Sequence, residues 1–432
     1  MSRAAGRESP WTAWVDDACR SVEVAGQWRA PRTFDARGPA GLLEVRPGRP
    51  GAPSPFGVTD GLPVVSFASN DYLGLSSHPA VVGAAKAALD RWGAGSGASR
   101  LVTGSRPVHA ELESALAAWK GCERAVLFPT GFAANLSVLS VFGAEGVHIH
   151  SDALNHASIV DGCRLARATV HVYPHRDLDA LEAALAARPG RHLVVTDTVF
   201  SMDGDTADLA GLCALVSRYG GLLVLDEAHA VLGPDLPDPD SLGAGAPLDV
   251  LRVGTLSKAL GSLGGFVAGP AAFVDLLVNC GRPYIFTTAP TPADAAAALT
   301  ALHIVRAEEG EHLRARLADH VARLAEPLRM TAHATPILPV TIGAEADAVA
   351  ASAELADRGL WVPAIRPPTV APGTSRLRVT LSAAHSDDDV SRLVEGLDAL
   401  GVTGRSPGRS RRHEVTAPAA RPEVRGEEHL AS

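Results

Sequence analysis

Three lysines occur in this chain, Lys86, Lys120 and Lys258, and only Lys258 lacks an ordinary structural reading. Lys86 lies on an amphipathic helical stretch with Asp90 four residues on, the spacing of a solvent-facing ion pair. Lys120 closes a helical stretch just before Gly121, where a cation suits the helix dipole and a glycine suits the cap. Lys258 sits instead in Gly254-Thr-Leu-Ser-Lys-Ala-Leu-Gly-Ser-Leu-Gly-Gly265, directly after the apolar run Asp249-Val-Leu-Arg-Val253. Arginine supplies the rest of the positive charge, and arginine cannot give up its proton. Lysine can, and the free amine can condense with a carbonyl. A coding bias would also deplete lysine, so the neighbourhood has to carry the assignment.

That neighbourhood includes Leu222-Leu-Val-Leu-Asp226-Glu-Ala-His229, which puts an acid at the carboxyl end of an apolar strand, where open α/β sheets bind ligands. Such an aspartate is often only a helix cap. The same letters occur in helicases, whose acids hold magnesium, but that chemistry needs a G-x-x-x-x-G-K-[ST] loop and the chain has none. Asp226, His229 and Lys258 make better sense together, as the residues around a bound pyridoxal 5'-phosphate (PLP). The lysine amine would meet the cofactor aldehyde, and the aspartate would keep the pyridine nitrogen protonated. Singly, each residue is more often structural; the joint arrangement reverses that.

A phosphate needs a helix N-terminus with free amides, and Phe128-Pro-Thr-Gly131-Phe132-Ala-Ala-Asn135 reads as strand, turn and helix start. Gly93-Ala-Gly95-Ser-Gly-Ala98 matches a dinucleotide fingerprint in letters, yet it follows a helical pattern rather than a strand and is rejected. His156, in Asn155-His-Ala-Ser158, reads equally well as a satisfied core histidine or as a ring that stacks on another. Arg366, in Ile365-Arg-Pro-Pro368, reads as a surface arginine or as one held by its prolines to grip a carboxylate bidentately.

Elements of suitable type lie where these residues need them. Val126–Phe128, Val147–Ile149, Val170–Val172, His192–Val195, Leu222–Leu225 and Leu251–Val253 are short apolar runs separated by helix-length segments. That alternation predicts an α/β domain with a mainly parallel sheet. A helix over about Trp11 to Trp28 precedes it, followed by a Gly- and Pro-rich irregular or hairpin connection over residues 38–64. Helices are expected from Pro292 to about Gly310, on to about Arg329, and over Ala348 to Arg358. Strands are expected at Ile337–Ile342 and Arg376–Leu381, the latter with Leu377, Val379 and Leu381 on one face and Arg376, Arg378 and Thr380 on the other. The expected division is an arm over residues 1–64, a large cofactor domain over 65–292, a small α+β domain over 293–402, and a disordered tail over 403–432 whose composition could not build a core.

Composition sets the outer bounds. The 432 residues are 46% hydrophobic and 20% charged with a net charge of −9, which suits a globular protein and argues against nucleic acid or an anionic membrane as partner. Apolar runs are too short to span a bilayer, and the first residues show no apolar secretory segment. The five cysteines are scattered and never in a C-x-x-C spacing, so a reducing cytoplasm is expected, with neither disulfide framework nor metal site.

The motifs Ser69-Asn-Asp-Tyr-Leu-Gly-Leu75, Gly95-Ser-Gly-Ala-Ser-Arg100, Phe200-Ser-Met-Asp-Gly-Asp205, Asp226-Glu-Ala-His229, Thr255-Leu-Ser-Lys258 and Ala383-Ala-His385 resemble those of the α-oxoamine synthases, over about residues 12–402. These are fold type I PLP enzymes, built on a mainly parallel seven-stranded sheet with a small α+β domain. They condense an amino acid with an acyl thioester and release carbon dioxide. The resemblance implies that Lys258 carries the cofactor and moves the α-proton, Asp226 pairs with the ring nitrogen, His229 contacts the ring oxygen, and His156 stacks on the ring. It further implies Ser201 near the ring oxygen, and Gly131, Phe132 and Thr255 at the phosphate. Thr287 or Thr288 would reach the phosphate from the other subunit of a homodimer. Arg366 and Asn70 would hold the amino acid carboxylate, with Thr369 also at the substrate and Arg29 at the acyl end.

Ile365-Arg-Pro-Pro-Thr-Val370 with Gly373-Thr-Ser-Arg-Leu-Arg378 is similar to members that use L-alanine and a pimeloyl thioester, on coenzyme A or an acyl carrier protein, in biotin synthesis. A synthase using glycine or serine with another acyl group, or a non-catalytic partner subunit, is the alternative. One departure stands out. After Asp226-Glu-Ala-His229 the family usually inserts a Thr-Gly or similar pair, whereas Ala230-Val-Leu-Gly233 follows directly here and leads into Pro234-Asp-Leu-Pro-Asp-Pro-Asp240, expected to border the acyl entrance.

Overall fold

In the computed structural model, residues 9–25, 27–29, 31–44, 61–237, 248–330 and 333–404 are described. The terminal segments, the whole of residues 45–60 and the end of the Pro234–Asp240 loop lie outside them. The large sheet has seven strands. In spatial order they are Arg124–Phe128, Gly265–Gly269, Asp249–Thr255, Leu222–Asp226, Arg191–Asp197, Val147–Asp152 and Thr169–Tyr173. All contacts are parallel except those of Gly265–Gly269, which runs antiparallel to both neighbours. The six strand runs expected from sequence are all present. The seventh, Gly-Phe-Val-Ala-Gly, is short and flanked by glycine, so its letters do not set it apart from the loop before it.

Strands buried on both faces carry continuous apolar runs, as a sheet covered by helices requires. Leu223, Val224 and Leu225 are each fully buried, and each such burial is worth about 1.5–3 kcal/mol. The crossover helices Gly131–Phe142, Ala157–Leu165, Leu178–Ala186 and Leu209–Arg218 leave from carboxyl ends of strands. The turns carrying Gly131, His156, Ser201 and His229 therefore collect along that edge of the sheet.

A second sheet joins the two ends of the chain. Phe34–Ala36, Ala40–Glu44 and Gly61–Ser66 pair antiparallel, and Leu360–Trp361 adds parallel to Gly61–Ser66. A third sheet pairs Ser375–Thr380 with Ile337–Gly343 and Ala364–Ile365. The first helix runs Pro10–Val24, shorter than expected, and the Ala-rich helix Pro292–Val305 packs on the helices Pro79–Trp92 and Pro107–Lys120. No described helix is long and apolar enough to cross a membrane.

Candidate active site

Asp226 ends its strand beside Asp197, its register partner on the neighbouring parallel strand. One Asp226 oxygen accepts from Asn135 Nδ2 at 2.6 Å and the other from the Ala228 amide at 2.9 Å. Asn135, on the first turns of the helix after Gly131, also reaches Ser158 Oγ at 2.9 Å. Burial, reinforced by the Asp226 charge, holds the Asp197 carboxyl well above its usual range, although the His156 amide donates to it at 2.7 Å. Of these two acids side by side at the strand ends, Asp226 is the one with an amide side chain fixing its orientation.

Lys258 Nζ lies 2.8 Å from His229 Nε2, and His229 Nδ1 lies 2.5 Å from the Tyr72 hydroxyl. Burial lowers the Lys258 pKa against the opposing charges of Asp226 and Asp197. Burial and the neighbouring Lys258 charge push His229 well below its ordinary value, so its imidazole is neutral. Burial likewise keeps the Tyr72 phenol protonated, with Arg378 beside it. One proton must then be shared out along the chain of groups. When Lys258 is an ammonium it donates to Nε2, Nδ1–H donates to Tyr72, and Tyr72 donates to Asn70 Oδ1, 3.3 Å away. When Lys258 is a free amine, Nε2–H can donate to it and Tyr72 turns its proton to Nδ1. The tautomer of His229 follows the protonation of Lys258.

Thr130 caps the helix Gly131–Phe142 by accepting from the Ala133 amide, and the Gly131 and Phe132 amides have no acceptor among the described residues. A Cβ on Gly131 would stand 3.5 Å from that of Thr255, so strand end and helix start face each other closely. Gly265 permits this approach, since a Cβ there would come within 2.5 Å of the Gly131 nitrogen. His156 keeps Nδ1 on Ser158 at 2.7 Å and leaves its ring exposed. Ser201 is fixed through its carbonyl, which accepts from Arg378 Nε at 2.6 Å. These residues fit PLP: an amine with lowered basicity, an oriented carboxylate, an open imidazole face, and two free amides at a helix N-terminus.

Arg366, Thr369 and Arg29 line a cleft of about 570 Å3 together with Trp28, Arg32 and Trp361. Arg366 donates to the Trp28 carbonyl at 3.1 Å, Arg29 reaches Thr369 at 3.5 Å, and Arg32 stacks on Trp361 at 5.1 Å. Asn70 faces Arg378, 3.2 Å away, and Tyr72. Thr287 and Thr288 are exposed next to the exposed Phe286, and Thr288 bridges to Ser99.

The two dismissed lysines need correction. Lys86 is exposed on its helix, but no ion pair joins it to Asp90 among the described residues. Lys120 does end its helix before a left-handed Gly121, yet its amine also pairs with buried Glu227 at 2.7 Å, and Glu227 in turn holds Arg252 at 2.6 Å. Sequence reasoning also missed Tyr72, Asn135 and Arg378. Arg378 was assigned to the polar face of its strand, and that face turns out to be buried against Ser201 and Asn70. An arginine alternating with a fully apolar face was the available signal.

The chain matches the aminotransferase class I and II family over residues 63–397, and it belongs to that family. Its architecture is that of fold type I: a serine palmitoyltransferase from S. paucimobilis, solved with a bound PLP-myriocin aldimine, superposes with a TM-score of 0.79 at 26% identity, covering 91% of this chain and all of that one. An 8-amino-7-oxononanoate synthase from Bordetella petrii is 49% identical over 354 residues, 79% of this chain and 89% of that protein. The crystal structure of an 8-amino-7-oxononanoate synthase from Francisella tularensis gives a TM-score of 0.66 at 25% identity, covering 78% of this chain and 98% of that one. The resemblance to α-oxoamine synthases is borne out, and within them the chain is most like the 8-amino-7-oxononanoate synthases.

Proposed function

We propose that this chain is a PLP-dependent acyltransferase that condenses L-alanine with a pimeloyl thioester, yielding 8-amino-7-oxononanoate, carbon dioxide and free thiol in biotin biosynthesis. The observation that carries it is the Lys258 amine, of lowered basicity, held 2.8 Å from a neutral His229 beside Asp226, in a chain 49% identical to such a synthase. Bound PLP supplies an aldehyde that captures the amino group and a ring that takes up the electron pair at Cα.

The residues do the rest. Lys258 takes the α-proton on Nζ and later returns it, while the His229–Tyr72 pair adjusts its own protons to each state. Asp226 keeps the ring nitrogen protonated, and Asn135 keeps Asp226 aimed. The nucleophilic Cα attacks the thioester carbonyl, the carbon–sulfur bond breaks, and the resulting β-keto acid loses carbon dioxide. Gly131, Phe132 and Thr255 hold the phosphate. Arg366 and Asn70 take the alanine carboxylate, and the arginine- and tryptophan-lined cleft suits an apolar acyl chain with an anionic end. The working unit is a homodimer, with Thr287 or Thr288 completing the phosphate site of the neighbour.

Borohydride treatment of the yellow protein tests the assignment. It should bleach the visible band and fix the cofactor on the peptide containing Lys258; an adduct on Lys86 or Lys120 would overturn the reading. L-Alanine should also exchange its α-hydrogen with solvent before any acyl donor is added.

A further inference from the structure

His175 lies outside the groups considered so far, and its two ring nitrogens meet two different carboxylates. Nδ1 is 2.9 Å from Asp152 Oδ1 and Nε2 is 2.8 Å from Asp205 Oδ2. Carboxylates accept and cannot donate, so both ring nitrogens must carry protons and the ring is an imidazolium. Burial works against that charge, but the hydrogen bonds to and charges of Asp152 and Asp205 outweigh it and raise the pKa to about 9. The ring also stands edge-on to Phe200, with centroids 4.3 Å apart.

Each carboxylate anchors one side of the candidate site. Asp152 ends its strand and receives the Leu154 amide at 2.8 Å and the Arg176 amide at 2.9 Å, which shapes the turn leading to Asn155 and His156. Asp205 closes the loop that carries Ser201: the Phe200 amide donates to the Asp205 carbonyl at 2.9 Å and the Gly204 amide to the Phe200 carbonyl at 2.8 Å. On its far side that loop is held by the other end of the chain, through Arg378 on Ser201, Arg376 on Asp203, and Thr335 on the Gly204 carbonyl. The titratable groups facing this cluster are Asp152, Asp205, Arg176, whose guanidinium is 3.4 Å from Asp205, Tyr173, Asp197 and His333.

We propose that His175 is a positioning residue for the reaction: as an imidazolium it ties the turn presenting His156 to the loop presenting Ser201, and so sets the spacing of the two sides of the cofactor cradle. This rests on the PLP reading above. Deprotonation removes one of the two donors, and one carboxylate must let go.

Equilibrium dialysis of the full-length apo protein against PLP tests this, for the parent, His175→Gln and Asp205→Asn between pH 6.5 and 10. The phosphate and Lys258 titrate alike in all three proteins, so the ratio of variant to parent affinity isolates His175. His175→Gln should bind PLP on the order of tenfold more weakly near neutral pH, the size expected for lost charge-assisted hydrogen bonds. The ratio should close toward one as pH passes about 9, where the parent loses the same charge. Asp205→Asn keeps the histidine but removes one carboxylate, so its ring loses its charge at a lower pH and its ratio should widen there before closing past about 9. A ratio that does not change with pH, or unaltered affinity in both variants, would overturn the proposal. Absence of PLP uptake by all three proteins would instead overturn the cofactor reading, and this proposal with it.

Discussion

Tyr72→Phe removes a single oxygen from the centre of the candidate site and leaves the packing in place. The ring is fully buried and meets His229 edge-on at a centroid distance of 6.0 Å, a contact that phenylalanine keeps. What disappears is the partner of His229 Nδ1 at 2.5 Å and the donor to Asn70 Oδ1 at 3.3 Å. His229 is 4% exposed, so no water replaces the hydroxyl and Nδ1 stays unsatisfied. Leaving a buried polar group unpaired costs about 1–3 kcal/mol. Because that atom sits one ring away from the Lys258 contact, the loss should appear in function as well as in stability. The rate of α-hydrogen exchange into L-alanine should fall by on the order of tenfold, equivalent to about 1.4 kcal/mol. The assays are urea unfolding at a fixed protein concentration, since dimerisation would make the midpoint concentration-dependent, and exchange followed by proton NMR. A Tyr72→Phe protein with the parent's unfolding midpoint and exchange rate would refute the tautomer coupling among Tyr72, His229 and Lys258.

Two further expectations concern stability. Lys120→Met strips one cation from buried Glu227; because Arg252 still holds the carboxylate, the cost should sit at the low end of the range for breaking a buried pair, about 3 kcal/mol. Urea unfolding indistinguishable from the parent's would demote Lys120 to a helix-end lysine. His109 is buried, with Nε2 2.9 Å from the Pro290 carbonyl and Nδ1 accepting from the Arg106 amide at 2.9 Å, so a second proton would break the Arg106 bond. Burial, with the Arg100 charge, lowers its pKa to about 4. The unfolded chain therefore binds the extra proton first as pH falls: stability is fully present above about pH 6.5 and drops by about 3 kcal/mol on the way to pH 4. His109→Gln should flatten that part of the profile, and an unchanged slope would show that other groups govern it.

What the sequence reveals of this molecule follows from how local each signal is. The parallel strands announce themselves because both of their faces are buried, so apolar residues run on without alternation. The Gly265–Gly269 strand does not, since it packs through backbone approach and glycine is what such approach requires. Lys258, Asp226 and His229 are legible because their chemistry limits the residue types, and each sits at a strand-to-loop step. Tyr72, Asn135 and His175 are ordinary residue types whose roles arise only from partners 157, 91 and 30 positions away. Arg378 misleads by period: alternation told its face correctly, but polar faces need not meet water. The arm and the C-terminal region share a sheet through Gly61–Ser66 and Leu360–Trp361, a long-range pairing that no local pattern encodes.

The most direct test of the central claim is the product made from L-alanine and a pimeloyl thioester, followed by mass spectrometry with alanine labelled at one carbon at a time. Label at C1 should leave as carbon dioxide, and label at C2 or C3 should remain in 8-amino-7-oxononanoate, with glycine and serine reacting far more slowly. Retention of the C1 label, a clear preference for glycine or serine, or no product from the pimeloyl donor would contradict the account.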